Sequence, residues 1–241
     1  MIRYTSFTDK GSREHNEDAM GVMGNSQCGC FVLCDGLGGH GYGEVASNLA
    51  VECFKRQFEH APDMVNFIGD AILSAQENVM MTQKMNPSYG EMKTTVVALA
   101  FDDRKAYIGH VGDSRVYMFY KGKIKNRTLD HSVPQMLVRA GEIKDKHIRN
   151  HPDRSLLLRV IGMEWEENKY ELQEPVDIKE KQAFLLCSDG FWELITEKEM
   201  EKTLKKSKTP EAWCEAMVEI IRKNGVGTNM DNYSAIAVFV D

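Results

Sequence analysis

The sequence predicts a single-domain α+β fold in which β-sheets are covered by helices, and four observations support it. Short apolar runs bounded by glycine or polar turns recur along the chain, as is typical of strands. Two longer blocks, residues 43–79 and 196–224, instead carry apolar residues at helical spacing. No Pro- or Ser-rich linker divides the 241 residues, so a single domain spanning 1–241 is expected. Strands that follow one another in runs favour covered sheets over strict βαβ alternation.

Two of the predicted strands end on an aspartate that is followed directly by glycine. Residues 31–34 form an apolar run that leads into Asp35 and Gly36. Residues 184–187 form a second run that leads, one serine later, into Asp189 and another glycine. Glycine lets other groups approach the backbone closely. Because the two segments are built alike but lie far apart in sequence, we expect both to aim their acids at one place.

The other elements follow from apolar spacing and capping residues. Asp63, Thr196 and Thr209 are expected to cap helices, each from the position before an apolar periodic segment. The block at 129–162 is expected to be a helical, charged region. The remaining strands are expected at residues 2–8, 94–101, 105–111, 115–120 and 234–240.

Composition narrows the class of protein. The formal net charge of −6 argues against general nucleic-acid binding, which requires a basic face. No apolar stretch is long enough for a transmembrane helix, and the first residues lack the apolar core of a signal peptide, so no membrane partner is expected. The pair Cys28 and Cys30 lacks a second pair to complete a metal site. The six cysteines therefore indicate a reduced, cytoplasmic protein, and nothing requires more than a monomer.

Four aspartates lie in turns that border strands: Asp35, Asp113, Asp189 and Asp231. Gathered at one sheet edge they would repel each other strongly without a cation, and hard ions such as Mg²⁺ or Mn²⁺ prefer such oxygen ligands. Two ions that share a carboxylate and a hydroxide can drive in-line displacement at phosphorus. Arg13 offers a planar donor fork suited to phosphate. The set therefore predicts hydrolysis of a phosphate ester.

Other chemistries fit the spacing less well. No cysteine-nucleophile phosphatase loop, Asp-x-Asp motif or Gly-x-Ser-x-Gly elbow occurs. Gly36-x-Gly38-x-x-Gly41 matches a dinucleotide pattern, but Asp35 would aim a negative charge at the pyrophosphate, so dinucleotide binding is the last alternative. His131, beside Asp130, is interpreted either as half of a catalytic pair or, more commonly for such a residue, as a capping or packing side chain.

Six motifs together resemble the metal-dependent serine/threonine protein phosphatase family (PP2C or PPM type) in its short bacterial form. The resemblance spans nearly the whole chain and implies a central β-sandwich of two mainly antiparallel sheets flanked by helix pairs, in α-β-β-α layers. It also implies a flap subdomain at roughly 132–166. The motifs are Arg13-x-x-Asn16-Glu17-Asp18, Asp35-Gly36-Leu37-Gly38-Gly39-His40, Gly112-Asp113-Ser114-Arg115, Asp130-His131-Ser132, Ser188-Asp189-Gly190 and Asp231-Asn232.

The resemblance implies a role for each metal-site residue. Asp35 would bridge two Mn²⁺ or Mg²⁺ ions, and Gly36 would lend its carbonyl oxygen. Asp189 and Asp231 would complete the shell of the first ion. Asp113, with Asp189, resembles the family's weaker third-metal site.

The resemblance also places residues around the substrate. Glu17 and Asp18 would hold metal-bound waters, and Arg13 would grip the phosphate. Eukaryotic members often carry a histidine, proposed as general acid, where this chain has Leu37. His40 or a metal-bound water would then protonate the leaving group.

The function implied is hydrolysis of phosphoserine and phosphothreonine in proteins by a water or hydroxide that bridges the two ions. The partners implied are phosphoproteins and a cognate Ser/Thr protein kinase. The alternative from another class is a catalytically weak relative that only binds phosphoproteins. Departures from the family pattern at Met92-Lys93 and at 155–162 fall in regions that shape substrate access.

The segment 144–159 carries five basic and two acidic residues, a local charge of +3 in an acidic chain. Two interpretations are open for it. It is either a solvated helical face or a basic flap that steers acidic, phosphorylated segments toward the metals. Under the second interpretation, Arg149 and Arg154 are expected to be steering charges.

Overall fold

The computed structural model describes residues 1–37, 42–60, 63–167 and 169–241, and every strand pairing within them is antiparallel. The strands are β1 (Ile2–Asp9), β2 (Asp18–Gly24), β3 (Gly29–Leu37), β4 (Lys93–Thr94), β5 (Val96–Phe101), β6 (Lys105–Val111), β7 (Arg115–Tyr120), β8 (Lys123–Arg127), β9 (Glu171–Leu172), β10 (Val176–Asp177), β11 (Gln182–Cys187) and β12 (Tyr233–Val240). The α-helices are α1 (Gly43–Glu59), α2 (Met64–Met85), α3 (Val133–Arg139), α4 (Asp189–Trp192), α5 (Glu197–Lys206) and α6 (Pro210–Asn224).

The strands form two sheets that pack face to face. One sheet has the order β1-β12-β11-β7-β8; the other has β10-β6-β5-β3-β2, with β4 paired to β3 and β9 paired to β6. Phe31 and Leu33 of one sheet share a buried core with Phe184 and Leu186 of the other. Helices α1 and α2 cover the outer face of the second sheet, and α5 and α6 cover that of the first. The predicted sandwich with α-β-β-α layers is therefore confirmed.

Strand β3 explains the long apolar run seen in the sequence. Its side chains alternate between two cores, with Phe31 and Leu33 between the sheets and Val32 and Cys34 under the helices. A strand buried on both faces shows a continuous apolar run instead of alternation. The run therefore delivers Asp35 from the centre of the molecule.

The predicted helix caps are confirmed. Asp63 accepts a hydrogen bond from the Val65 N–H, and Thr209 accepts one from the Ala212 N–H. Thr196 forms a reciprocal capping box with its helix. These side chains satisfy N–H groups that the first helical turn leaves without partners.

The prediction of a helical region at 129–162 is wrong for most of its length. Only α3 and a 3₁₀ turn, Asp145–Asn150, are helical there. Gly141, at φ +78°, lies in the turn that follows α3. The rest is irregular and is fixed by single bridges, such as the one between Thr94 and Ile161. Strands β2 and β8 were not expected, because glycines in one and charged residues in the other hide the strand pattern.

No helix in the described parts of the chain is long and apolar enough to cross a membrane.

Candidate metal centre

Two predicted acids come from adjacent strands of one sheet. Asp18 begins β2 and lies directly opposite Asp35 of β3 in the strand register. The main chain of Asp35 is fixed from its other side by Thr95, which accepts the Asp35 N–H through Oγ1 (3.0 Å) and donates its own N–H to the Asp35 carbonyl (2.8 Å). Both acids are thus placed by sheet pairing and not by a flexible loop.

The other sheet supplies two more acids to the same place. Asp189 begins α4 just after β11, and Asp231 precedes β12. Gly190 permits this close approach, because a Cβ there would lie 2.3 Å from the Asn232 carbonyl oxygen. Burial raises the pKa of the Asp35 carboxyl, and Asp18, Asp189 and Asp231 all lie close enough to Asp35 to raise it further. The centre therefore lies across the seam between the two sheets.

Burial and mutual repulsion disfavour the ionised acids in the metal-free protein. Burial raises the pKa of Asp18 to about 6 and, with repulsion from nearby Glu193 and Asp231, that of Asp189 to about 7. The pKa values of Asp35 and Asp113 are also well above the usual range, first because of burial and then because of neighbouring aspartates.

The donor set fits hard divalent cations. Asp18 Oδ2 accepts the Ser188 hydroxyl hydrogen bond (2.9 Å), whereas the buried Oδ1 has no partner within the protein. A buried carboxylate oxygen without a donor is rare in native proteins unless water or an ion binds it. Several converging carboxylates and a free acceptor are the oxygen ligands that Mg²⁺ and Mn²⁺ prefer.

The raised pKa values predict how stabilisation by metal depends on pH. Above about pH 4 the folded metal-free protein holds protons on Asp18 and Asp189 that the unfolded chain has lost, so its stability falls as pH rises toward 7. Metal binding replaces those protons and becomes tighter over the same range. The increase in Tm caused by Mn²⁺ over EDTA should therefore be larger at pH 7.5 than at pH 5.5. In an Asp18→Asn/Asp189→Asn variant this difference should vanish; an equal increase at both pH values in the parent would contradict the prediction.

Gly36 and Glu17 lie beside the aspartates. The Gly36 N–H donates to the Glu17 carbonyl (3.1 Å), and a Cβ on Gly36 would lie 2.4 Å from the Gly43 carbonyl. Glycine is therefore required where β3 passes the start of α1. The Glu17 side chain is half-buried, and burial raises its pKa.

Arg13 lies on the open side of the centre. Its Nη2 donates to Asp231 Oδ2 at 2.7 Å, and both side chains are about half exposed (49% and 43%). Asn232 holds the loop that carries Arg13, because its amide donates to the Lys10 and His15 carbonyls and accepts the Glu17 N–H. All eight predicted site residues therefore converge on one region, and the roles given to them stay predictions.

His131 packs and accepts a hydrogen bond; it does not form a catalytic pair with Asp130. Its Nδ1 accepts the Gly112 N–H (3.2 Å), while Asp130 forms two hydrogen bonds with Arg115 (2.8 and 2.6 Å). The structure therefore favours the packing interpretation of this histidine.

A second group of possible metal ligands, His110, His131 and Glu171, does not fit an ion. The two imidazole rings are stacked 4.5 Å apart and only 16° from parallel, so their in-plane lone pairs cannot point at one ion. Neutral His131, which accepts through Nδ1, also carries its proton on the Nε2 that would have to bind. Of this group, His131 instead holds the turn at Gly112 through two hydrogen bonds.

The interpretation of Arg149 as a steering charge is wrong. Its side chain is only 17% exposed, and its guanidinium donates to the carbonyls of Trp192 and Ile195 and to Glu197. Arg154, 42% exposed, pairs with Glu193 at 2.8 Å. A charge neutralised in this way adds little to a long-range field.

Two sequence features lie outside the described residues. These are His40, the candidate general acid, and Gly38 and Gly41 of the dinucleotide-like pattern.

Sequence reasoning missed three residues that hold the acids in place: Thr95 on Asp35, Ser188 on Asp18, and Trp192 on Asp113. Ser188 is part of a sequence motif with Asp189, but its hydrogen bond to Asp18, 170 positions away, leaves no signal in the sequence. Only pairing across the two sheets reveals it.

Comparisons with known proteins agree with this geometry. A family model described as protein phosphatase 2C matches residues 10–233. The serine/threonine phosphatase stp of Listeria monocytogenes serotype 4b is 32% identical over 240 residues, which cover 96% of this chain and 93% of the relative. Among solved structures, Stp1 from Staphylococcus aureus gives a TM-score of 0.90 at 29% identity, over 100% of this chain and 96% of that one. The catalytic domain of the serine/threonine protein phosphatase PstP, in complex with 2 manganese ions, gives 0.85 at 26% identity, over 100% and 99%.

Proposed function

The chain belongs to the protein phosphatase 2C family and is a metal-dependent protein serine/threonine phosphatase, and from this premise we propose that the carboxylate centre hydrolyses phosphoserine and phosphothreonine in proteins. The observation that carries the proposal is the meeting of Asp18 and Asp35 with Asp189 and Asp231 across the sheet seam. Buried acids that raise one another's pKa values are a common feature of active sites.

The residues divide the work at this centre. When bound, two Mn²⁺ or Mg²⁺ ions supply an activated water and positive charge for the phosphoryl oxygens. Asp35, with carboxylates on both sides of it, would be shared by both ions, and Gly36 would offer its carbonyl oxygen. Asp189 and Asp231 provide anionic oxygens from the other sheet.

Asp18 and Glu17 are proposed to hold metal-bound waters instead of the ions themselves. The free Oδ1 of Asp18 is a hydrogen-bond acceptor suited to hold and orient a water, while Ser188 fixes its Oδ2. Glu17, half-buried at the rim, offers a second acceptor. Asp113, also buried, is proposed as a ligand of a weaker third ion together with Asp189.

Arg13 is proposed to bind the substrate phosphate. A guanidinium presents two parallel donors to phosphate oxygens, and Arg13 is half exposed at the open side of the acids. In the absence of substrate it pairs with Asp231, so it must exchange part of that ion pair for the phosphate.

Removing the Arg13 guanidinium is expected to separate substrate binding from metal binding. Arg13→Met should lower kcat/KM about 10- to 150-fold, because a charge-assisted hydrogen bond of ~1.5–3 kcal/mol is lost. Mn²⁺ affinity should stay the same or increase, because Asp231 loses a competing cation. Steady-state kinetics and calorimetric Mn²⁺ titration measure the two effects. Arg222→Met, which removes an exposed arginine paired with Asp9, is the control; weaker Mn²⁺ binding in Arg13→Met alone would refute this assignment.

The experiment that tests the function compares turnover of an aryl phosphate and of phosphoserine and phosphothreonine peptides. The protein is assayed with Mn²⁺, with Mg²⁺ and with excess EDTA. Turnover that requires a divalent ion and extends to both peptides supports the proposal. Turnover that survives chelation would overturn the metal mechanism, whereas peptide binding without turnover under any ion would indicate a phosphoprotein-binding relative.

The partners, location and oligomeric state of the protein are further proposals. Phosphoprotein substrates require a Ser/Thr protein kinase that makes them, so a cognate kinase is expected. Six free cysteines, five of them buried, support a reducing, cytoplasmic location. We further propose that the chain acts as a monomer and as one catalytic domain, with residues 132–166, here called the flap segment, beside the centre.

A further inference from the structure

Trp192 connects two candidate metal ligands. It is the last residue of α4, the short helix that begins at Asp189. Its indole Nε1–H donates to the main-chain carbonyl of Asp113 at 3.0 Å, and the residue is 1% exposed. A buried carbonyl that loses such a donor has no water to replace it. The position of the Asp113 main chain therefore depends on the indole.

Two arginines from different elements hold Trp192. The guanidinium carbon of Arg115, at the start of β7, lies 3.4 Å from the indole centroid and is itself held by Asp130. Arg149, in the flap segment, donates through Nε to the Trp192 carbonyl (3.0 Å) and through Nη2 to the Ile195 carbonyl (3.0 Å). Arg115 of the sheet thus holds the indole, while Arg149 of the flap segment holds the Trp192 main chain and lies with its guanidinium carbon 5.8 Å from the indole centroid.

The 3₁₀ turn that carries Arg149 is anchored in the protein core. Ile148 is 2% exposed and belongs to the buried cluster that contains Trp192 and Ile195. Ile148 and Arg149 both contact the end of α4 and the residues that follow it, instead of facing solvent. This part of the flap segment is therefore attached to the protein core by specific contacts.

The turn around Asp113 has few other ways to adjust. Gly112 exchanges two hydrogen bonds with His131, which donates its N–H to the Gly112 carbonyl (2.9 Å) and accepts the Gly112 N–H at Nδ1 (3.2 Å). The Ser114 hydroxyl pairs with that of Thr95 (2.8 Å). With both neighbours held, the carbonyl of Asp113 has Trp192 as its partner, and a shift of the indole is passed to Asp113.

We propose that Trp192 is a positioning residue for Asp113, and that Arg149 couples the flap segment to Asp113 through it. The inference rests on the proposed function, in which Asp113 is a metal ligand. It assigns to Arg149, a largely buried arginine of the flap segment, the adjustment of one metal site and not the attraction of substrate. Substitutions in the 3₁₀ turn should then change metal dependence before they change substrate preference.

Calorimetric Mn²⁺ titration of the full chain tests the coupling. Trp192→Phe keeps an aromatic ring but removes the N–H, and Arg149→Met keeps length but removes the donors. Trp192→Phe should weaken the weakest Mn²⁺ binding step roughly 10-fold and leave the tighter steps unchanged. Arg149→Met should weaken the same step by a smaller factor. In an Asp113→Asn background Trp192→Phe should have no further effect on Mn²⁺ binding, because the group it positions is gone.

Arg139→Met is the matched control, since Arg139 is a flap arginine that lies 3.6 Å from Glu171 and is half exposed; it should leave every Mn²⁺ step unchanged. Thermal unfolding of each variant reports any general loss of stability. The inference is overturned if Trp192→Phe lowers Tm but moves no Mn²⁺ step, or weakens all steps equally with and without Asp113. If Asp113→Asn itself leaves the titration unchanged, the role of Asp113 fails and this inference with it, while peptide turnover still reports the phosphatase activity separately.

Discussion

Asp35→Asn is expected to lower kcat/KM by roughly 10³-fold or more, because the anionic oxygen that we propose both ions share is lost while the side chain keeps its shape. The same change should raise the Tm of the metal-free protein. Burial and nearby aspartates disfavour a charged Asp35, and a neutral amide removes that cost. Loss of activity and gain of metal-free stability have opposite signs, so misfolding cannot produce both.

Kinetics with Mn²⁺ and thermal unfolding in EDTA and in Mn²⁺ measure these effects. The variant should also lose most of the Tm increase that Mn²⁺ gives the parent. Asp103→Asn, which changes an acid with a 76% exposed side chain far from the centre, should alter none of the three quantities. Equal Mn²⁺ affinity in Asp35→Asn and the parent would refute the bridging role.

Arg115→Met is expected to be the most destabilising of the charge substitutions. Arg115 and Asp130 are 3% and 1% exposed and lie 2.6 Å apart, so the variant leaves a buried carboxylate without its main partner. Removing one partner of a buried pair costs about 3–5 kcal/mol. In a domain of this size that corresponds to a fall in Tm of roughly 10 °C.

The control is Lys55→Met, because Lys55 and Glu52 lie at the same 2.6 Å distance but are 43% and 57% exposed. Exposed pairs contribute about 0–1 kcal/mol, so its Tm should hardly change. Arg115→Lys keeps the charge without the planar fork and should fall between the two. Equal Tm changes in Arg115→Met and Lys55→Met would show that burial does not determine how much an ion pair contributes to stability.

The sequence predicted those parts of the fold that local patterns specify. The run before Asp35 and the run before Asp189 could be recognised as strands because each is buried on both faces. The caps at Asp63, Thr196 and Thr209 depend on neighbouring residues only, and all three are confirmed.

The predictions that were missing or wrong concern features that depend on partners distant in sequence. β2 contains two glycines and is a strand because β3 lies beside it, with Asp18 opposite Asp35. Residues 129–162 are predicted to be helical, but in the structure side chains such as Ile148 attach largely irregular backbone to the core. Arg149 looked like a surface charge because its carbonyl partners carry no sequence signal. The acids of the site could be named from the residues and the family resemblance, while the groups that aim them could not.

The core between the two sheets also has a consequence for the chemistry. Leu33 and Leu186 are fully buried there, two and three residues before Asp35 and Asp189 respectively. Because the acids belong to opposite sheets, the thickness of this apolar layer sets the gap across which two ions must fit. Close-packed interiors resist compression and shear, so that gap is held to a narrow tolerance. The side-chain volumes in this hydrophobic layer therefore set the distance between the carboxylates of the two sheets. Removing a methylene group between the sheets should change that distance and so weaken metal binding.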